Sequence, residues 1–551
     1  MLAALLPGAA AAGDPDPGET VMLDPVFVEA SSGTPWRYYS APGYEIISHC
    51  PESFNEAYTG ALRKATAARL TLLPAAFWGV LATPMRIVLY DREPERGDAL
   101  GSPIDLGWVD GGSTLPDTVM LSHPVTVGDG DAFINCGNYW GLKSDPGDLS
   151  ADPDGAILLE LRVPRLPAWF RAGLEGQFGL FGNRVVASGA RVDTVVLRAA
   201  TWVSSDETDA IREEAKRDAE SGARPRQRPM IPLGDLFRHA VRGGQEALWG
   251  SEASLLARWG LFASGRREEF LAFVDESTRE PAGEEMFRRH MGLGYAEALG
   301  LLEAYLPAAV GAPIRVPVTA PLLEAFTSRY AAPREAARIL GDWCRMEGRG
   351  LGPEYADFQR ECLKQAEAQF TKQSLRRSDD PQLLAAYGLY ELQAGEEDEA
   401  RAALEAAARE GVVRPRAYVE LARLRLKRAL PSVQQGVGDL GEADYEEILG
   451  FLQTARRQMP ALEGGYTLLA RVLEHAPARP SGAEVAVLDG ALALFPQDAQ
   501  LAYEVATLHG RLGEAGRAAA IISRAKGFAE SDQARTLLSS FPASAAGRAN
   551  P

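Results

Sequence analysis

The stretch PRLPAWFRAGLEGQFG, residues 164–179, decides how the middle of this chain is read. Pro164 and Pro167 bracket a turn, because proline fixes its own φ and pushes the preceding residue out of the helical region. Trp169 and Phe170 follow, and apolar residues then recur at helical spacing through the pair Gly173-Leu174. Just upstream, SADPDGAILLEL (150–161) has its own start signal, with Asp152 as a cap and Pro153 as the first helical residue. Together the two segments predict two helices joined by a stiff proline turn.

Toward the N-terminus, PMRIVLYD (84–91) has the composition of a buried strand. Residues 53–73 place Ala57, Ala61, Leu62, Ala65 and Leu70 at helical spacing. TVMLSH (118–123) and AFINCGNY (132–139) read as two more strands, and the acidic GDGDAF (128–133) as a hairpin loop. WRYYSAPGYEIISHC (36–50) is extended structure broken at Pro42-Gly43. Residues 36–149 are therefore expected to form a small α/β subdomain. Before it, residues 14–35 are rich in Pro, Gly, Asp and Ser and read as a linker. The opening MLAALLPGAAAAGD resembles a secretory signal from its apolar segment onward, without the basic residues that normally come first. Residues 1–13 are read as a truncated signal peptide whose start codon is placed too far downstream. The protein is then expected to be exported, periplasmic or associated with the cell envelope.

Toward the C-terminus, residues 150–320 read as a mainly helical subdomain. SEASLLARWGLFA (251–263), REEFLAFVDEST (267–278) and GYAEALGLLEAYL (294–306) each carry an apolar stripe. DETDAIREEAKRDAESGARPRQRPM (206–230) is a charged helix running into a proline-broken loop, and IRVPVTA (314–320) is a short strand or an extended connector. Residues 321–375 follow as a helical connector. Then GLYELQAGEEDEARAALEAA (388–407) and VATLHGRLGEAGRAAAIISRA (505–525) share one pattern. Small Gly388 and Ala506 precede Ala400 and Ala518 by twelve residues; Leu404 and Ile522 follow, and Ala407 and Ala525 close the unit. The pattern resembles the tetratricopeptide repeat, in which small residues let paired helices approach and large ones fill between them. Looser helical pairs lie at 416–430, 443–457, 465–475 and 483–495, so residues 376–540 are expected to form such repeats, with 541–551 as a tail.

Composition narrows the function classes. The 551 residues are 46% hydrophobic and 24% charged, which is the balance of a globular chain long enough for several domains. A net charge of −18 argues against nucleic acid or an anionic membrane surface as the main partner, since phosphate binding needs a basic face. The short Arg224-Pro-Arg-Gln-Arg228 run is a solvated loop. After residue 14 no apolar run is long enough for a transmembrane span. Cys50, Cys136, Cys344 and Cys362 form no CxxC pair. In an exported protein Cys50 with Cys136, and Cys344 with Cys362, are candidate disulfides; buried thiols fit the sequence equally well.

The order of a small α/β unit, a helix, a Pro-Trp turn, a second helix and a helical subdomain resembles the gluzincin metallopeptidases of the peptidase-MA-like kind. The resemblance covers roughly residues 36–310. It rests on LLELRVPRLPAWFRAGLEGQFG (158–179), MIPLGDLF (230–237) and MFRRHMGLGYAEAL (286–299). The family's chemistry needs His-Glu-x-x-His on one helix and a glutamate on the next: two imidazoles one turn apart hold zinc, and the intervening glutamate is the general base. With Trp169 set on the family's tryptophan, that motif falls on Asp152-Pro153-Asp154-Gly155-Ala156 and the third ligand on Ala172. Ligands and base are all replaced. Pro153 would also start the helix where a peptidase has already placed its first ligand. Glu175 offers a single carboxylate with no imidazole beside it. The six histidines, His49, His123, His239, His290, His475 and His509, never fall within one helical turn of each other.

Other motifs are weaker. Ser150, Asp152, Asp154 and Gly155 resemble a calcium loop, but Glu160 closes it one position early and Pro153 interrupts it. No GxSxG, GxGxxG or P-loop sequence occurs. Trp36, Tyr38, Tyr39, Tyr44, Trp108, Tyr139 and Trp140 are concentrated in the first subdomain, as core or as the lining of a substrate cleft. The expected fold is an α+β N-terminal part with a predominantly helical remainder: a gluzincin-like two-lobed module followed by a C-terminal α-solenoid of tetratricopeptide type. The expected function is that of a catalytically inactive peptidase-like protein, without cofactor, that binds a protein or peptide through its cleft and repeat surface. Two alternatives are a hydrolase with another site on the same scaffold and a structural component of the cell envelope.

Overall fold

The computed structural model describes residues 35–73, 84–89, 125–128, 131–135, 164–178, 183–188, 191–197, 199–222, 228–240, 245–347, 356–370, 380–432, 440–458, 460–529 and 531–542. It is mostly helical, with a small mixed sheet near the N-terminus. Trp36 onward forms one compact unit.

The six-stranded sheet has the order β4-β5-β3-β2-β1-β9. Strands β1 (Arg37–Ala41) and β2 (Tyr44–Ser48) make an antiparallel hairpin, closed where Gly43 takes a φ of 84°. β2 then runs parallel to β3 (Met85–Leu89), and β3 parallel to β5 (Asp131–Asn135). β4 (Val125–Gly128) pairs antiparallel with β5, with Gly128 opposite Asp131, as a hairpin requires. Because side chains alternate across a strand, each strand feeds both faces. Tyr39, Tyr44, Ile46, Met85, Ile87 and Leu89 pack against Phe54, Tyr58 and Leu62 of helix α1 (Glu52–Leu72). Tyr38, Ile47 and Val88 point the other way, onto Ile339, Leu340, Trp343 and Met346 of helix α9 (Pro333–Glu347). Tyr38, Tyr39 and Tyr44 are thus core. Trp108, Tyr139 and Trp140 lie outside the described residues, as do TVMLSH and Cys136.

The segment expected to be a helical connector takes part in this sheet. β9 (Thr327–Tyr330) pairs antiparallel with β1, and α9 supplies the sheet's second cover. The central subdomain, expected to be mainly helical, also holds strands: IRVPVTA supplies one, and residues 183–197 supply two that were not expected. β6 (Asn183–Ser188), β7 (Arg191–Leu197) and β8 (Ile314–Pro317) form an antiparallel three-stranded sheet. Residues 183–197 are rich in β-branched valine around Ser188-Gly189, a strand signal that the stronger helical stripes on either side overshadow.

Around that small sheet stand α2 (Ala168–Phe178), α3 (Ser205–Ser221), α4 (Leu233–Phe237), α5 (Glu246–Arg258), α6 (Arg267–Ser277), α7 (Glu284–Met291) and α8 (Tyr295–Gly311). Their shared core holds Trp169, Phe170, Leu174, Leu256, Phe270, Phe273 and Phe287. Each such side chain contributes roughly 1.5–3 kcal/mol through burial.

The remaining helices come in sequence-adjacent pairs. α9 packs on α10 (Ala356–Phe370), and α11 (Pro381–Ala394) on α12 (Glu397–Arg409). α13 (Pro415–Ser432) packs on α14 (Glu442–Arg456), α15 (Glu463–Glu474) on α16 (Gly482–Leu494), and α17 (Ala499–Arg511) on α18 (Ala515–Phe528). The first members, α9, α11, α13, α15 and α17, also pack one on the next, and α19 (Asp532–Ser539) follows against α17. A methyl built on Gly388 would lie 2.7 Å from the Leu404 Cγ, so that glycine sets how closely α11 and α12 approach. Ala506, Ala518, Ile522 and Ala525 interlock in the same way between α17 and α18. Among the described residues no helix is long and apolar enough to cross a membrane.

Candidate functional site

The proline turn and α2 form as expected. Residues 164–167 turn, the Phe170 and Arg171 N–H groups bond back to the Pro167 carbonyl, and α2 begins at Ala168. Trp169 is buried among Phe170, Phe237, Phe270 and Phe273, with ring centroids 5.0–6.1 Å away. This aromatic nest fixes the orientation of α2. Gly173, one turn along the same side of α2, lets α5 approach: a methyl there would lie 2.6 Å from the Ala253 carbonyl oxygen and 2.8 Å from the Ala257 Cβ.

Ala172, the residue before Gly173, is half-buried against the apolar core. It has no atom that could bind a metal or move a proton. The other positions on which the peptidase ligands and base would fall, Asp152, Pro153 and Ala156, lie outside the described residues, and so does the side chain of Glu175. Of the four expected site positions, Ala172 alone is among the described residues.

Across from α2, α5 carries a group that sequence reading did not single out. Glu252 is 2% exposed, and its two carboxylate oxygens accept the Ile231 N–H at 3.0 and 2.9 Å. Burial pushes its carboxyl up to about 7, against the pull of that N–H. The bond ties the Met230-Ile231-Pro232 approach to α4 onto α5. The only sequence signal was an acidic residue within the apolar stripe of SEASLLARWG.

The histidines are dispersed and locally held. His49 lies against Trp36, and His239 stacks on Trp249 at 3.8 Å while bonding Glu246 at 2.9 Å. His290 bonds Glu276 at 2.6 Å. His509, wholly buried, bonds Glu514 at 2.7 Å and faces Asp489 at 3.5 Å. His475 ends α15, and His123 lies outside the described residues. Among the described residues no three His, Cys, Asp or Glu side chains are placed to hold a metal ion. Cys50, Cys344 and Cys362 stand as buried thiols.

The strongest electrostatic feature lies between the first sheet and the helical pairs. Asp342 on α9 has no exposure and takes Arg345 at 2.9 Å, Arg86 of β3 at 3.3 Å, and Arg414 just before α13. Burial would raise its carboxyl, but Arg414, Arg345 and Arg86 together hold it well below the usual carboxylate range. Beside it, Glu45 of β2 receives both Arg338 nitrogens at 2.9 and 3.0 Å and the Tyr38 hydroxyl at 2.7 Å. Burial again opposes ionisation, and Arg338, Arg86 and Tyr38 overcome it, holding Glu45 at about 2. These groups lock strands to helices rather than face a cleft.

Compared with known proteins, the chain matches no family model and no curated protein at a significant level.

Proposed function

We propose that this chain is a gluzincin-like, peptidase-MA-like module that has lost its zinc site and serves, with a tetratricopeptide-type solenoid behind it, to bind a protein or peptide partner outside the cytoplasm. The observation that carries this reading is Ala172. At the turn of α2 where a peptidase would present its third ligand stands a half-buried methyl packed into apolar core. The two anchors that would position such a ligand, Trp169 and Gly173, are both kept. The row of α9, α11, α13, α15 and α17, each with its own partner helix, supports the solenoid part of the reading.

The metal content of the purified chain tests it, measured by mass spectrometry after dialysis without chelator and again with added zinc. Near-zero stoichiometry in both is the expected result; one tightly held zinc per chain overturns it. Crosslinking in native envelopes, read for each half of the chain separately, tests the binding role, and capture of nothing by either half counts against it.

A hydrolase with another site is the second reading, and Glu252 is the observation that favours it, since a carboxyl that titrates near neutrality suits general acid–base work. Both of its oxygens, however, engage the Ile231 N–H. That makes Glu252 a fastening for the residue 228–232 approach.

A further inference from the structure

The helical pairs that follow α9 are attached at two ends, and the attachments differ in kind. At the near end α9 is part of the first sheet's core, and Asp342, Arg86, Arg345 and Arg414 are buried together. The far end meets the central subdomain at its surface. Gln497, in the turn between α16 and α17, donates to the Leu166 carbonyl at 2.7 Å. The exposed Arg524 guanidinium on α18 donates to the Arg279 carbonyl. Gly527, one turn on, lies so close to Pro281 that a methyl there would be 2.6 Å from the ring Cγ.

We propose that the far end of the helical array is a latch, in which Gln497, Arg524 and Gly527 hold α17 and α18 shut against Leu166, Arg279 and Pro281. Three arguments carry it. The Arg524–Arg279 bond is exposed and the Gln497–Leu166 bond only part-buried, so both exchange with water more readily than the buried ion cluster, and local opening starts there. Small, polar contacts within a chain permit relative motion that large apolar ones forbid. Gly527 also weakens the last turn of α18 relative to alanine, while its missing side chain is what lets Pro281 seat. The glycine thus favours the contact over the helix.

Leu166 belongs to the proline turn that launches α2, so an open latch frees the carbonyl of that turn. The latch goes beyond the partner-binding proposal and stands whether or not a partner exists.

Distance measurement between spin labels tests it on the full chain. Labels are placed through Glu285→Cys and Lys526→Cys, both exposed positions, in a Cys136→Ser background. The otherwise unaltered chain should give one short distance. Gly527→Trp, which wedges the contact, and the pair Gln497→Ala with Arg524→Ala, which only deletes bonds, should each add a long-distance population while helicity by circular dichroism is kept. An unchanged short distance in both variants overturns the latch. A long distance already present before either change overturns it too. Loss of helicity in both variants shows that the far end is core, which also refutes it.

Discussion

The Asp342 carboxylate on α9 accepts the Arg414 guanidinium from 72 residues further along the chain, with both side chains fully buried. This pair joins the cover of the first sheet to the third helical pair. Removing the one carboxylate that three arginines share leaves buried positive charges facing one another. Asp342→Asn is expected to cost about 3–5 kcal/mol in denaturant unfolding. Arg414→Met should cost less, because Arg86 and Arg345 still neutralise Asp342.

Glu45 adds an acid-sensitive component. Its carboxyl is held at about 2 in the fold against an ordinary 4.5, so the folded state binds fewer protons than the unfolded chain between those values. The stability it supplies is complete above pH 4.5 and lost as the pH falls through 2, about 3 kcal/mol in all. Unfolding curves taken from pH 7 down to 2 should show this loss, and Glu45→Gln should remove its share of the slope.

Glu252 has the opposite sign. Its carboxyl rises to about 7, so its contribution is fully present below 4.5 and disappears as the pH climbs through 7. Glu252→Gln, which fixes a neutral side chain, should make the protein about 3 kcal/mol more stable than wild type at pH 9 and leave it little changed at pH 4.5. Equal effects at both pH values would contradict this.

Two glycines of neighbouring helices should respond in opposite directions to the same change. Gly173→Ala drives a methyl onto the Ala253 carbonyl, a backbone atom that cannot rotate away, and should cost about 1–3 kcal/mol. Gly250→Ala in α5 meets nothing within 4 Å and should gain up to about 1 kcal/mol from helix propensity. Thermal melts of the two variants check both signs.

Trp169→Phe should be far milder than Trp169→Ala. The indole Nε1 is buried with no hydrogen-bond acceptor among the described residues, so phenylalanine removes a desolvated donor while keeping much of the aromatic packing. Alanine leaves a cavity at about 3–5 kcal/mol.

Local pattern made some of this legible. The apolar run MRIVL, the helical spacing of residues 53–73, and the spaced small residues Gly388, Ala400, Ala506 and Ala518 each announce the element or contact they form. The proline turn before α2 is equally plain. Long-range pairing was not legible, because periodicity reports a neighbourhood of about a dozen residues. Nothing in TSRY says that it will lie beside RYYSA, and nothing in the helical stripe of residues 333–347 says that it covers a sheet and opens a row of helices at once. Asp342 and Glu252 look like ordinary helix carboxylates until their neighbours from distant segments are known. At the candidate site the proline turn and the start of α2 were readable; how tightly Trp169 and Gly173 pack α2 against its neighbours was not.

Strand β9 joins β1 from far along the chain: the Ser40 and Thr327 hydroxyls, 287 positions apart, meet at 2.9 Å. A ribosome therefore delivers β1, β2 and α1 long before their edge partner and second cover exist. At ordinary elongation rates the wait is roughly 15–60 s. During it the nascent chain carries a bare strand edge and the uncovered Tyr38, Ile47 and Val88. The first sheet is thus begun early and completed late, and its waiting strand edge and apolar face are the surface through which a nascent chain would aggregate.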